Sequence, residues 1–262
     1  MKLLGLLLAL AMPVHAQEPV RLYAAGSLRG ALNEVGAAFR AKSGVPVEGN
    51  YGASGLLRDR LEKGEAADVF ASANMEHARS LEKSGKAGPV SLFARNQLCA
   101  LASPKVNVTS ATLLERMLDP AVKVGTSTPK ADPSGDYAFE LFAKADAIRP
   151  GARATLEAKA LKLTGGPDSP PPPKDRSVYG ALVADGEADI FLTYRTNALQ
   201  ARQEIPALQR VAVPATLAVG ADYGLTVMKN ARANATEFAR FILSPDGQAI
   251  LARHGFGPGE AQ

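Results

Sequence analysis

The chain of 262 residues carries 30 Lys and Arg against 26 Asp and Glu, a formal net charge of +4, with 46% apolar residues, no Trp and one Cys. That length allows one large domain or two ordinary ones. The small charge excess, without basic runs interleaved with aromatics, argues against nucleic acid as a partner. The lone Cys99 cannot form an internal disulfide and reads as a buried core thiol.

Residues 1–16 read as an export signal: Lys2, an apolar run from Leu3 to Met12, then Val14-His15-Ala16 with small residues suited to a signal peptidase. The run is far shorter than the roughly 20 residues of a spanning helix, and no cysteine follows it to carry a lipid. The mature chain is therefore expected to begin at Gln17, in the periplasm and without membrane insertion.

Val20 to Ala25 is a short apolar run suited to a buried strand, and Leu28, Ala31, Leu32, Val35, Ala38 and Phe39 then repeat at helical spacing until Gly44. Ser27 sits at the joint. Val45 to Tyr51 is extended again, Ser54 opens a second helix running to Gly64, and Ala67 to Ala71 is the next strand. This alternation is the rhythm of a parallel sheet. A hydroxyl and free amides at the first turn of a helix suit an anion, because those amides lack intrahelical partners and the macrodipole is positive there. Ser27 and Ser54 equally suit plain N-caps.

Asn74 to Lys83 is predicted helical, and Val90 to Ala102 is a long extended stretch expected to cross between two lobes. The rhythm restarts with a helix from Ala111 to Leu118, a strand at Val122 to Gly125, a turn-rich piece from Thr126 to Gly135, and helices at Asp136 to Lys144 and Arg153 to Ala160. Thr164 to Arg176, with Gly165-Gly166-Pro167 and four prolines from Pro170, is expected as an exposed loop with polyproline character. Ser177 begins a helix ending near Gly186, and Ala188 to Tyr194 is a buried strand. Tyr194 could be a core residue or a hydroxyl at the rim of a site. Leu208 to Val213 and Tyr223 to Met228 are further strands, the latter expected to return antiparallel to Val90–Ala102. Phe238, Phe241, Ile242, Ile250 and Leu251 form a C-terminal amphipathic region.

The chain resembles the periplasmic molybdate-binding proteins of ABC importers, a branch of the type II solute-binding family. The residues that carry the likeness are Ala24-Ala25-Gly26-Ser27-Leu28, Gly52-Ala53-Ser54-Gly55, Ala66 to Ala73, Asp132-Pro133-Ser134-Gly135, Val178 to Leu182, and Gly186 to Ile190 leading to Thr193-Tyr194. The resemblance implies an α/β fold of two lobes, each a mostly parallel sheet flanked by helices, joined by two crossing segments. Residues 17–99 with 208–262 would form the first lobe and 100–207 the second. It further implies a monomer that encloses a tetrahedral oxyanion, molybdate or tungstate, between the lobes and delivers it to a membrane permease, with no cofactor. The contacts carried over are the hydroxyls of Ser27, Ser54 and Tyr194 and the backbone N–H groups of Ser134 and Val178, which touch metal only through the oxyanion's oxygens.

Such dianions carry no proton near neutral pH, so a selective site needs donors and avoids acceptors. Lys130, Asp132, Asp136 and Arg195 flank this site in sequence and read as exposed rim charge; turned inward, Lys130 or Arg195 would suit a carboxylate, sulfonate or phosphate instead, whereas Asp132 or Asp136 would favour a protonated oxyanion or demand direct metal coordination. Sulfate is the alternative of the same charge and shape. An enzyme is not indicated: the mature histidines, His77 and His254, read as surface or helix-end residues away from the serine motifs, and there is no G-x-S-x-G elbow. The effector lobe of a transcription regulator would need a DNA-binding segment where the export signal stands.

Overall fold

The computed structural model describes residues 17–173 and 176–259. The predicted export signal at 1–16 and residues 174–175 of the predicted loop lie outside them. The first third alternates as expected: β1 (Val20–Ala25), α1 (Arg29–Ser43), β2 (Val47–Gly52), α2 (Ser54–Glu62), β3 (Val69–Ser72) and α3 (Met75–Lys83). The long β4 (Ser91–Ala102) follows, then α4 (Leu113–Leu118), β5 (Val124–Ser127), α5 (Pro133–Ile148), α6 (Ala152–Lys159) and β6 (Leu161–Thr164). The remainder comprises α7 (Val178–Ala184), β7 (Ile190–Tyr194), α8 (Arg195–Glu204), β8 (Gln209–Ala212), β9 (Gly220–Val227), α9 (Ala235–Leu243), α10 (Pro245–Arg253) and β10 (Gly257–Pro258).

The strands order as β2-β1-β3-β9-β4-β7-β5-β6, with β8 and β10 also on β4. Both flanks are parallel: β1 with β2 and β3, and β5 with β6 and β7. The centre is antiparallel, because β4 and β9 run between the flanks in opposite directions, as the two extended stretches suggested. Ser91 to Gln97 of β4 pair with β9, Leu98 to Ala102 pair with β7 on one side, and Cys99 to Ala102 pair with β8 on the other. The expected boundary at 207/208 assigns β8 to the first lobe, whereas its hydrogen bonds place it on β4 opposite β7.

Helices cover both flanks because each presents one apolar stripe. Leu28, Leu32, Val35 and Phe39 pack with Phe238, Phe241 and Ile242 beneath β1, and Leu141, Phe142 and Leu156 pack beneath β5 and β7. Cys99 is buried as expected, and burial pushes its thiol up to about 12. His77 departs from expectation: it is buried, not a surface residue, and desolvation with the Arg58 charge lowers its pKa to about 4. His254 does end a helix, where its Nε2 lies 2.7 Å from Glu34. Among the described residues, no helix is long and apolar enough to cross a membrane.

Asp68 ties the first flank together. Its carboxylate, wholly buried, accepts the Arg21 amide at 2.7 Å, the Arg21 guanidinium at 3.0 and 3.2 Å, and the Arg232 amide at 3.0 Å. Burial pushes this carboxyl up, but the Arg21 fork and the two amides more than offset that, and it titrates below the ordinary aspartate value. Removing one partner of a buried pair costs roughly 3–5 kcal/mol. Asp68→Ala should therefore lose about 3 kcal/mol in urea unfolding. Because the folded pKa is depressed, the Asp68 contribution is present above the unfolded value of about 3.9 and lost as pH falls through the folded one. The wild type should accordingly converge on the variant in acid.

Candidate functional site

One cleft of about 440 Å3 gathers most of the predicted contacts: Ser27, Ser54, Val178 and Tyr194 all line it. The chain leaves β1 through a single 3₁₀ turn, Gly26–Leu28, that carries Ser27, while Ser54 is the first residue of α2. Neither serine caps its helix, so the N-cap alternative does not describe them. The Ser54 hydroxyl accepts the Ala73 amide at 3.1 Å, which leaves its own proton to donate. The Ser27 hydroxyl lies 3.0 Å from that of Tyr223, and the amide of Asn96 reaches Tyr223 at 3.3 Å and Thr196 at 2.9 Å. This chain of hydrogen bonds links β1, β4, β9 and α8.

Tyr194 ends β7 on the opposite wall. Its side chain is 2% exposed, its hydroxyl has no partner among the described residues, and burial raises its pKa far above the usual phenol range, so it remains a neutral donor. A buried hydroxyl without a partner costs roughly 1–3 kcal/mol. A solute oxygen arriving there would remove that cost.

Ser134 is placed differently from its expected role. Its amide donates to Asp132 Oδ1 at 3.0 Å, in the N-cap of α5, and the residue is not among those lining the cleft. Asp132 does line it, contrary to its reading as exposed rim charge, and is partly buried there. Burial pushes its carboxyl up to about 6; the Ser134 amide pulls the other way, and the charge of Asp136 adds to the rise. Gly165, in the left-handed region at φ +76, makes room for that carboxylate, since a Cβ would sit 2.5 Å from Oδ2. Lys130 and Arg195 are exposed, as expected, and Arg195 donates to the Gly255 carbonyl. Asp136 accepts the Lys130 amide at 2.7 Å and so fastens the loop before α5.

Two cationic residues that the sequence reading did not single out also line the cleft, Arg29 and Arg176. Arg29 lies over the Tyr51 ring at 4.8 Å from its centroid. The only signal for either was its position, two residues after Ser27 and two before Val178. The loop from Thr164 is exposed at most positions, as expected, yet Gly165, Gly166 and Pro170 to Pro173 form part of the cleft wall. Among the described residues there is no cluster of three or more His, Cys, Asp or Glu side chains suited to a metal ion. The lining instead combines neutral hydroxyls, two guanidinium groups and one carboxyl, a set that can hold an oxyanion by hydrogen bonds.

A family model described as bacterial extracellular solute-binding protein matches residues 20–257. The chain belongs to that family. Among its relatives, an uncharacterized protein of Pasteurella multocida is 37% identical over 70% of this chain and 77% of its own length. A molybdate-binding protein of Mycobacterium bovis is 26% identical over 93% of this chain and 86% of its own. Of solved structures, the sulfate-binding protein of Mycobacterium tuberculosis superposes with a TM-score of 0.77 at 20% identity, covering 92% of this chain and 87% of that one. The fold of this solute-binding protein is thus that of the type II periplasmic binding proteins.

The two walls already touch beside Ser54. The Gly55 amide donates to the Ala131 carbonyl at 2.9 Å, and a Cβ on Gly55 would meet that oxygen at 2.7 Å and the Lys130 carbonyl closer still. Both obstacles are backbone, so a side chain there must part the walls. Gly55→Ala should weaken solute binding by tenfold or more while changing thermal stability little. Wild-type affinity in that variant would show that this contact does not take part in closure.

Proposed function

We propose that this protein is the periplasmic solute-binding component of an ABC importer, and that it captures a tetrahedral oxyanion and hands it unchanged to a permease. It would act as a monomer. The observation that carries the reading is the buried, partnerless hydroxyl of Tyr194, in the same cleft as two serine hydroxyls not engaged as helix caps. Ser27, Ser54, Tyr194 and the Val178 amide would hold the oxyanion. Ser134 would contribute its amide only if Asp132 released it. Molybdate and tungstate are the inorganic members suited to neutral donors, and the likeness to molybdate-binding relatives supports them. Sulfate is the rival of equal charge and smaller radius.

Calorimetry with molybdate, tungstate, sulfate and phosphate tests this directly; absence of saturable binding to every oxyanion would overturn it. Losing one hydrogen bond to a charged solute costs about 1.5–3 kcal/mol, so Ser27→Ala and Tyr194→Phe should each weaken binding roughly 10- to 100-fold. Tyr194→Phe should also leave the solute-free protein as stable as wild type or about 1 kcal/mol more so, because it deletes an orphaned buried hydroxyl.

Asp132 adds a pH dependence of known sign. Its carboxyl titrates at about 6, above the ordinary value, so acidification from pH 7.5 to 5.5 removes a negative charge from the cleft wall. Sulfate, which takes up no proton in that range, should bind more tightly as pH falls, by about tenfold. In Asp132→Asn the affinity should be nearly flat across the same interval and match the acidic wild type. A slope unchanged by the substitution would assign the titration to another group.

A further inference from the structure

We infer that the solute, within the oxyanion reading on which this rests, is a phosphate ester of a small polyol: Ser27, Ser54 and Tyr194 take the phosphate, and Asp132 takes a hydroxyl of the organic part. The first ground is size. A bare tetrahedral oxyanion occupies roughly the space of two or three waters, each about 30 Å3. The cleft holds about 440 Å3, within the range of about 300–1,000 Å3 usual for sites of small organic molecules. The two walls touch where Gly55 bonds to Ala131 and the Tyr137 hydroxyl to the Ala73 carbonyl.

The second ground is the chemistry of the lining. Against a solute made only of acceptors, the Asp132 carboxylate is repulsive; against a hydroxyl it is an acceptor, and a charge-assisted one. Its position is built in, since Gly165 leaves the carboxylate space that a Cβ would fill and the Ser134 amide orients it. Arg29 and Arg176, both exposed, also line the cleft; a guanidinium suits phosphate oxygens, and a phosphate monoester carries a charge of about −1.5 to −2 near neutral pH. A sulfate ester or a single carboxylate offers less. Pro170 to Pro173 supply a stiff apolar wall for a short carbon skeleton.

Titration calorimetry of the mature protein with glycerol 3-phosphate, inorganic phosphate and molybdate at pH 7.5 tests the inference. Glycerol 3-phosphate should bind at least tenfold more tightly than inorganic phosphate. Asp132→Asn keeps a good helix cap but turns an acceptor into a donor, so glycerol 3-phosphate should weaken about tenfold while molybdate strengthens. Inorganic phosphate binding as tightly as the ester, or Asp132→Asn moving both solutes in the same direction, would overturn the inference and leave the oxyanion reading standing. Binding of none of the three would remove both.

Discussion

The antiparallel pairing of β4 with β9 is the constraint on which the rest of the molecule depends. β9 pairs with β3 of the first flank, and β4 runs on from its pairing with β9 to pair with β7 of the second, so the parallel sets β2-β1-β3 and β7-β5-β6 are joined by backbone hydrogen bonds. Tyr223 on β9 and Asn96 on β4 sit at this seam, wholly or nearly buried, and their side chains reach Ser27 from one flank and Thr196 from the other. The ring of Tyr223 also packs 5.7 Å from that of Tyr194. Ser27 and Tyr194 are thereby tied to the crossing strands themselves. That is how binding groups stay preorganised while the walls around them adjust.

Around that seam the cleft is unusually divided in character. The first flank presents hydroxyls and Arg29; the second presents Tyr194, Arg176 and the carboxyl of Asp132. A buried polar group is costly unless it is paired, and Tyr194 is held unpaired by the packing of Tyr137 and Tyr223 around its ring. Its stability cost is borne by the surrounding core.

Much of the architecture was legible in the residues. The apolar stretch of Val90 to Ala102 was too long and too extended for one half of a sheet, and it proved to serve both. Serines at strand-to-helix joints were visible for the same reason, since the change of period marks the joint. What escaped had weak periodicity. Helix α8 turns Thr196 and Asn197 inward beside Ala198 and Ala201, Asn197 donating to Thr193 at 2.9 Å, so its buried face is only partly apolar. Strand β6 is short and half exposed. Asp132-Pro133-Ser134-Gly135 has the composition of a turn, but Pro at the first helical position and Asp as cap begin α5 there. Arg29, Arg176 and the inward Asp132 could not be placed, because which exposed charges share a cleft depends on how the two flanks meet.

The carboxylate at the start of α5 has one more consequence. In many helices that end would be left to whatever anion the solvent supplies; here the protein carries its own. With Asp132 accepting the Ser134 amide, the start of that helix already faces a negative charge. Chloride and other ambient salts then gain little by entering. Charge alone is not sufficient for admission, and a solute must bring a shape or a donor that the resident carboxylate can use.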